Sequence, residues 1–250
     1  MTGEYYITKE LLKQHNPCRG GYRWFCEHYP NGGKYQEILD RLCDDDRFND
    51  ACWLLDEMGA TTDELKINTL EDANKSICFA GSVIVENGIK VESIRAGAFI
   101  KAGGHIEAGG HIEACTFIKA DRGIEAGGHI NAGGYIKTGW FIKAGWDIKA
   151  GWFIKTGAFI KAGWDIKAGW FIKTGAFIKA GGHIKAGWFI KTGAFIKAGW
   201  DIEVGEDYGI YAGLNIRLSM QKKFGYITAD SKPNNIMCGY WKEAEKTNEQ

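Results

Sequence analysis

Residues 144–161 read AGWDIK-AGWFIK-TGAFIK, three copies of one six-residue word. The word Ala/Thr-Gly-x-x-Ile-x, usually closed by Lys or Glu, recurs in eighteen consecutive copies from Ala96 to Glu203. Its fifth letter is Ile in every copy, and its second is Gly except at Cys115 and Asp121. A helix does not hold this pattern, because each interior Gly costs about 1 kcal/mol and six is not a multiple of 3.6. Short strands broken at glycine corners do hold it. A hexapeptide period therefore predicts a parallel β-helix, in which each coil hydrogen-bonds to the next.

From Ala144 the words cycle in threes, so the structural repeat is eighteen residues and the coil is a triangular prism. Sorting every third word gives three sides. The first carries Phe99, Phe117, Tyr135, Phe153, Phe171 and Phe189, beside Lys101, Lys119, Lys137, Lys155, Lys173 and Lys191. The second carries His105, Gly123, Phe141, Phe159, Phe177 and Phe195, with Lys143, Lys161, Lys179 and Lys197 alongside. The third is polar, with His111, His129, Asp147, Asp165, His183 and Asp201. Strand alternation decides which letters face inward. The invariant Ile fills the core with the small first letter, so the aromatic and Lys letters on either side of Ile point out. A buried Lys column would cost several kcal/mol per residue. The third letter accepts Arg122, so it also faces out, and Trp152, Trp170 and Trp188 are expected to stack along an edge beside the first aromatic column.

Residues 1–60 read as a small helical head, with helices after Thr8, over 22–29, over 34–43, and from Asn49 or Asp50 to Met58, closed by Gly59. Residues 61–76 read as a connector and 77–218 as the β-helix, fading through Tyr208, Ile210, Leu214, Ile216 and Leu218. A C-terminal β cap over 219–241 and a charged, frayed tail over 242–250 complete the chain. About six to eight coils are expected, making the protein mainly β. The formal net charge of zero hides a split. Residues 1–95 carry 11 Lys and Arg against 17 Asp and Glu, while 96–203 carry 14 against 8. An acidic head thus sits on a basic rod. Seven cysteines without a C-x-x-C pair suit a reducing compartment. With no apolar leader and no 18-residue apolar run, a soluble cytoplasmic protein without membrane contact is expected.

The Ile-x-Ala-Gly-x-x words at eighteen residues per coil resemble the hexapeptide-repeat β-helix superfamily over 96–203. That resemblance implies trimeric acyltransferases using acetyl-CoA or acyl carrier protein, with a catalytic His near a coil edge. His105, His111, His129 and His183 are candidates by type, but no loop interrupts the words to build an acceptor pocket. The even Gly–Ile texture also resembles the polymer-forming bactofilins, although a head and a cap occupy both ends here.

His15-x2-Cys18 and Cys26-x-His28 supply zinc-type ligands at a spacing that fits no common structural site, so no metal and no cofactor is expected. Asp44-Asp45-Asp46 reads as a solvated charge run. The reading that follows is a non-enzymatic binding or scaffold protein without catalytic residues. It docks on a protein partner through its head and the Phe–Lys–Trp side, for instance as a phage- or mobile-element-encoded inhibitor of a bacterial complex. A homodimer through the same side is a further expectation. Nucleic-acid binding by the Lys and aromatic ladders is the alternative, and acyl transfer the second.

Overall fold

The computed structural model describes residues 5–214 and 220–243. The words form a parallel β-solenoid in which each strand pairs with the strand eighteen residues away. Ile118 lies beside Ile100 and Ile136, and Lys119 beside Lys101 and Lys137. One side of the prism is a ten-stranded sheet with one strand per coil. Ten rungs replace the six to eight expected, and they span about 43 Å at 4.8 Å per rung. The other two sides join into one sixteen-stranded sheet, because an early strand, Ile89–Ala96, turns a corner and pairs onward on both.

Each regular strand is three residues long, with an inward Ile, an outward Lys or Glu and an inward Ala or Thr. All eighteen repeat isoleucines are buried. Each contributes about 1.5–3 kcal/mol of burial relative to exposure, summed along one continuous core. Corners keep the ladder going. Gly151 N–H donates to the Ala132 carbonyl at 3.0 Å, and Trp152 N–H to the Gly134 carbonyl at 2.7 Å. The corner glycine follows from this stacking, since a Cβ at Gly163 would overlap the Gly145 carbonyl oxygen on the rung beside it. Thr138, Thr156, Thr174 and Thr192 are buried, and their hydroxyls donate to corner carbonyls, as Thr192 does to Ala194 at 3.0 Å.

The head holds α1 (Lys9–Gln14), α2 (Arg19–His28), α3 (Tyr35–Asp44) and α4 (Phe48–Met58). A two-residue antiparallel pair, Tyr6–Ile7 with Gly33–Lys34, ties its entry. Thr8 caps α1 as its sequence predicts, accepting the Leu11 N–H at 3.2 Å. Helix α4 starts earlier than expected, after Arg47, and neither Asn49 nor Asp50 caps it. Gly59 ends α4 with φ +79°, the left-handed region that favours glycine.

Two boundaries differ from the sequence reading. The 61–76 connector is the first part of the solenoid, because Glu64–Ile67 pairs in parallel with Ser82–Val85, and Leu70–Phe79 with Ile89–Ala96. The 219–241 cap adds further rungs to the same stack. Tyr226–Thr228 pairs in parallel beyond Ile196–Lys197, and Ile236–Cys238 beyond Ile210–Tyr211. A short helix, Gln221–Phe224, precedes them. Of the fading words, Ile216 and Leu218 lie outside the described residues, as does most of the 242–250 tail. Among the described residues no helix is long and apolar enough to cross a membrane.

Candidate docking surface

Register places the first-side aromatics in one ladder. Phe99, Phe117, Tyr135, Phe153, Phe171 and Phe189 stack with centroids 4.5–5.0 Å apart and planes within 9° of parallel. Each ring is half-buried, because its faces are covered by its neighbours and its edge meets solvent. Trp152, Trp170 and Trp188 form a second ladder at 5.4 and 5.2 Å, extended by Tyr208 at 6.0 Å. Tyr135 lies 6.5 Å from Trp152, so the two ladders run side by side. The second side repeats the arrangement from Phe141 to Phe195 and continues it with Tyr226 at 5.0 Å. The seven repeat tryptophans are 38–62 % exposed.

The lysines divide by side. On the third, Lys149 pairs with Asp147 at 2.9 Å, Lys167 with Asp165 at 2.7 Å and Lys185 with Glu203 at 2.9 Å. On the second, Lys143 pairs with Glu125, whereas Lys161, Lys179 and Lys197 have no carboxylate partner among the described residues. On the first, Lys101, Lys119, Lys137, Lys155, Lys173 and Lys191 stand in register, with no carboxylate partner among the described residues. Lys191 alone is capped by rings, lying 4.5 Å from Phe189 and 4.7 Å from Tyr211. Sequence reasoning placed these six lysines together with the rings, and the structure does bring them together. It also separates them from the lysines that are neutralised.

The polar third column has a structural task that the sequence reading missed. His129 N–H donates to His111 Nδ1 at 3.2 Å, Asp165 N–H to Asp147 Oδ1 at 3.0 Å, and His183 N–H to Asp165 Oδ1 at 2.8 Å. Each acceptor side chain satisfies the backbone N–H eighteen residues on. His105 does the same for Gly123 at 3.2 Å on the second side. Of the histidines singled out by type, His105, His111 and His183 therefore serve this ladder. The His129 ring instead bonds Glu113, which Arg95 meets at 2.9 Å. The His129 hydrogen bond and the Arg95 charge outweigh burial and hold the Glu113 carboxyl below the usual range.

The head is welded to the first coil. Gln36 Nε2 donates to the Cys78 carbonyl at 2.9 Å, and its Oε1 accepts the Ala80 N–H at 2.9 Å. Arg95 also reaches Asp56 of α4, and Lys75 reaches Asp44 at 2.6 Å. Cys78 and Ala80 complete the head's apolar core. Asp45, read as part of a solvated run, accepts the Trp24 indole N–H at 2.8 Å. Three of the four zinc-type residues are engaged apart. His15 bonds Glu57 at 2.9 Å, Cys18 caps α2 by accepting the Gly21 N–H at 3.2 Å, and His28 bonds the Trp24 carbonyl at 2.8 Å. An apolar cavity of about 200 Å³ opens among the four helices, against Tyr22, Trp24, Phe25 and Trp53.

Residues 1–61, the head alone, match the family described as the YdhT N-terminal domain. No curated protein and no solved structure matches the chain.

Proposed function

We propose that this chain is a non-enzymatic docking protein, whose solenoid presents its first side to an acidic partner protein while the helical head supplies a second contact. The observation that carries this reading is the row of six first-side lysines in register without carboxylates, set against third-side lysines that are paired within reach. Uncompensated ammonium groups about 5 Å apart repel one another, so the row favours an anionic surface that supplies the missing charge. The rings beside it present their edges, which carry the positive end of the aromatic quadrupole and add to the same preference. Large exposed aromatics also provide the apolar contact that charge alone lacks. The head's cavity and its acidic balance fit a separate contact of different character.

Of the other readings, the homodimer through this side sets two uncompensated lysine rows against each other, so an acidic partner fits better. Base stacking on the ladders is disfavoured because every internal ring face is already covered by its neighbour, leaving phosphate contact as the route for a nucleic acid. An acyltransferase would draw on histidines that the coil uses as hydrogen-bond acceptors. Titration of the full chain with poly-L-glutamate and with an oligothymidylate, at several NaCl concentrations, tests the proposal. Poly-L-glutamate should bind with an affinity that falls as salt rises. Binding of the oligothymidylate alone would transfer the surface to nucleic acid, and binding of neither would remove the proposal.

A further inference from the structure

Between Ala144 and Glu203 ten words follow the cycle AGWDIK, AGWFIK, TGAFIK, and they depart from it at three letters only. Gly182 replaces a Trp, His183 an Asp and Glu203 a Lys. All three lie on the third side, in words that the Ile184–Ile202 register makes immediate neighbours. Gly182 and His183 together restate the Gly-Gly-His word of 102–107, 108–113 and 126–131, here set one rung from an Asp and a Glu. One ligand atom from each of His183, Asp201 and Glu203 lies within 4.8 Å of the other two.

The surroundings are shaped for access. Gly182 interrupts the tryptophan column between Trp164 and Trp200, and the Trp200 and His183 rings meet edge to face with centroids 5.0 Å apart. Ser231 Oγ donates to Asp201 Oδ1 at 2.7 Å, while Oδ2 faces His183 Nδ1 at 3.8 Å. A polar cavity of about 550 Å³, lined by Asp201, Glu203, Ser231 and Asn235, opens beside the carboxylates. Two contacts occupy these groups. Asp201 N–H reaches His183 Nδ1 at 3.4 Å, the longest of the third-column acceptor bonds, and Lys185 meets Glu203 at 2.9 Å across an exposed pair. Those contacts explain an acceptor at 183 and an acid at 203. They do not require imidazole at 183, because the cycle's own Asp165 accepts the equivalent N–H, that of His183, at 2.8 Å.

We propose that His183, Asp201 and Glu203 bind a divalent transition-metal ion of the zinc class. One imidazole nitrogen and two carboxylate oxygens suit Zn²⁺, Co²⁺, Ni²⁺ or Mn²⁺, whereas Mg²⁺ and Ca²⁺ take all-oxygen sets. The ion takes the place of the Lys185 ammonium on Glu203. Three protein ligands leave coordination positions open toward the cavity.

The test uses the full chain, titrated with CoCl₂ by visible absorbance and with ZnCl₂ by calorimetry. The double variant His183→Asp/Glu203→Lys returns both ligand positions to the cycle's letters. Both letters already stand in folded rungs, and circular dichroism verifies that the coil is retained. Wild type should take up about one ion per chain with ligand-field bands. The variant should lose those bands and bind at least about tenfold more weakly, the scale on which even outer-shell partners act. Wild type without uptake at millimolar metal would overturn the proposal, as would a variant that binds equally well, which would place the ion elsewhere, for example at the head's His15 and Cys18.

Discussion

At the scale of single residues, the solenoid is decided by what each letter meets on the neighbouring rung. A methyl group at Gly163 meets a carbonyl oxygen of its own ladder, which can move only by breaking corner hydrogen bonds. Gly163→Ala should therefore destabilise by about 1–3 kcal/mol in urea unfolding, although alanine is the better strand residue. Glu113 gives a pH signature. Its carboxyl is held below the usual range, so the bonds to His129 and Arg95 contribute stability that is fully present above about pH 4 and lost as pH falls through the lowered folded value. Thermal unfolding of wild type and Glu113→Gln should differ at pH 6 and converge as the pH drops below about 4. A gap that persists unchanged at low pH would contradict that assignment.

At the scale of elements, the unit is the eighteen-residue coil rather than the six-residue word. Deleting residues 162–179 removes one full turn and leaves every column intact, so the shortened chain should unfold cooperatively and close to wild type. Deleting 162–167 keeps each Ile inside but moves every later word to another side, setting Phe171 over Asp147. Each lost ring pair costs about 0.5–1.5 kcal/mol, and the lost Asp–backbone bonds add to it, so this shorter deletion should be the more damaging. At the head junction, Gln36→Ala leaves the Cys78 carbonyl and the Ala80 N–H unpaired and should cost about 1–3 kcal/mol, read as earlier unfolding of the helical head.

How much of this was legible follows from the same scale. The invariant Ile and strand alternation disclosed the inward face, and sorting every third word disclosed the columns. The first coil was hidden because Leu65, Ile67 and Leu70 sit among polar letters at irregular spacing, and their pairing depends on strands one coil later. The C-terminal β cap was legible, but its stacking on Ile196 and Ile210 was not, since its strands lack the word. The acceptor role of Asp147 and Asp165 was open to sequence reasoning, because the eighteen-residue period sets each beside the backbone N–H one coil on. Asp45 was not, because only the tertiary fold brings α2 to it.

At the scale of the whole molecule, the sides of one prism differ in charge, with lysines compensated on the third and uncompensated on the first. Two triple variants separate side from net charge: Lys137→Ala/Lys155→Ala/Lys173→Ala on the first side and Lys149→Ala/Lys167→Ala/Lys185→Ala on the third. Each removes three positive charges. Measured by fluorescence anisotropy against labelled poly-L-glutamate at fixed ionic strength, the first-side triple should lose most of the affinity and the third-side triple little. Equal losses, or a larger loss from the third side, would contradict the claim that the first side is the docking surface.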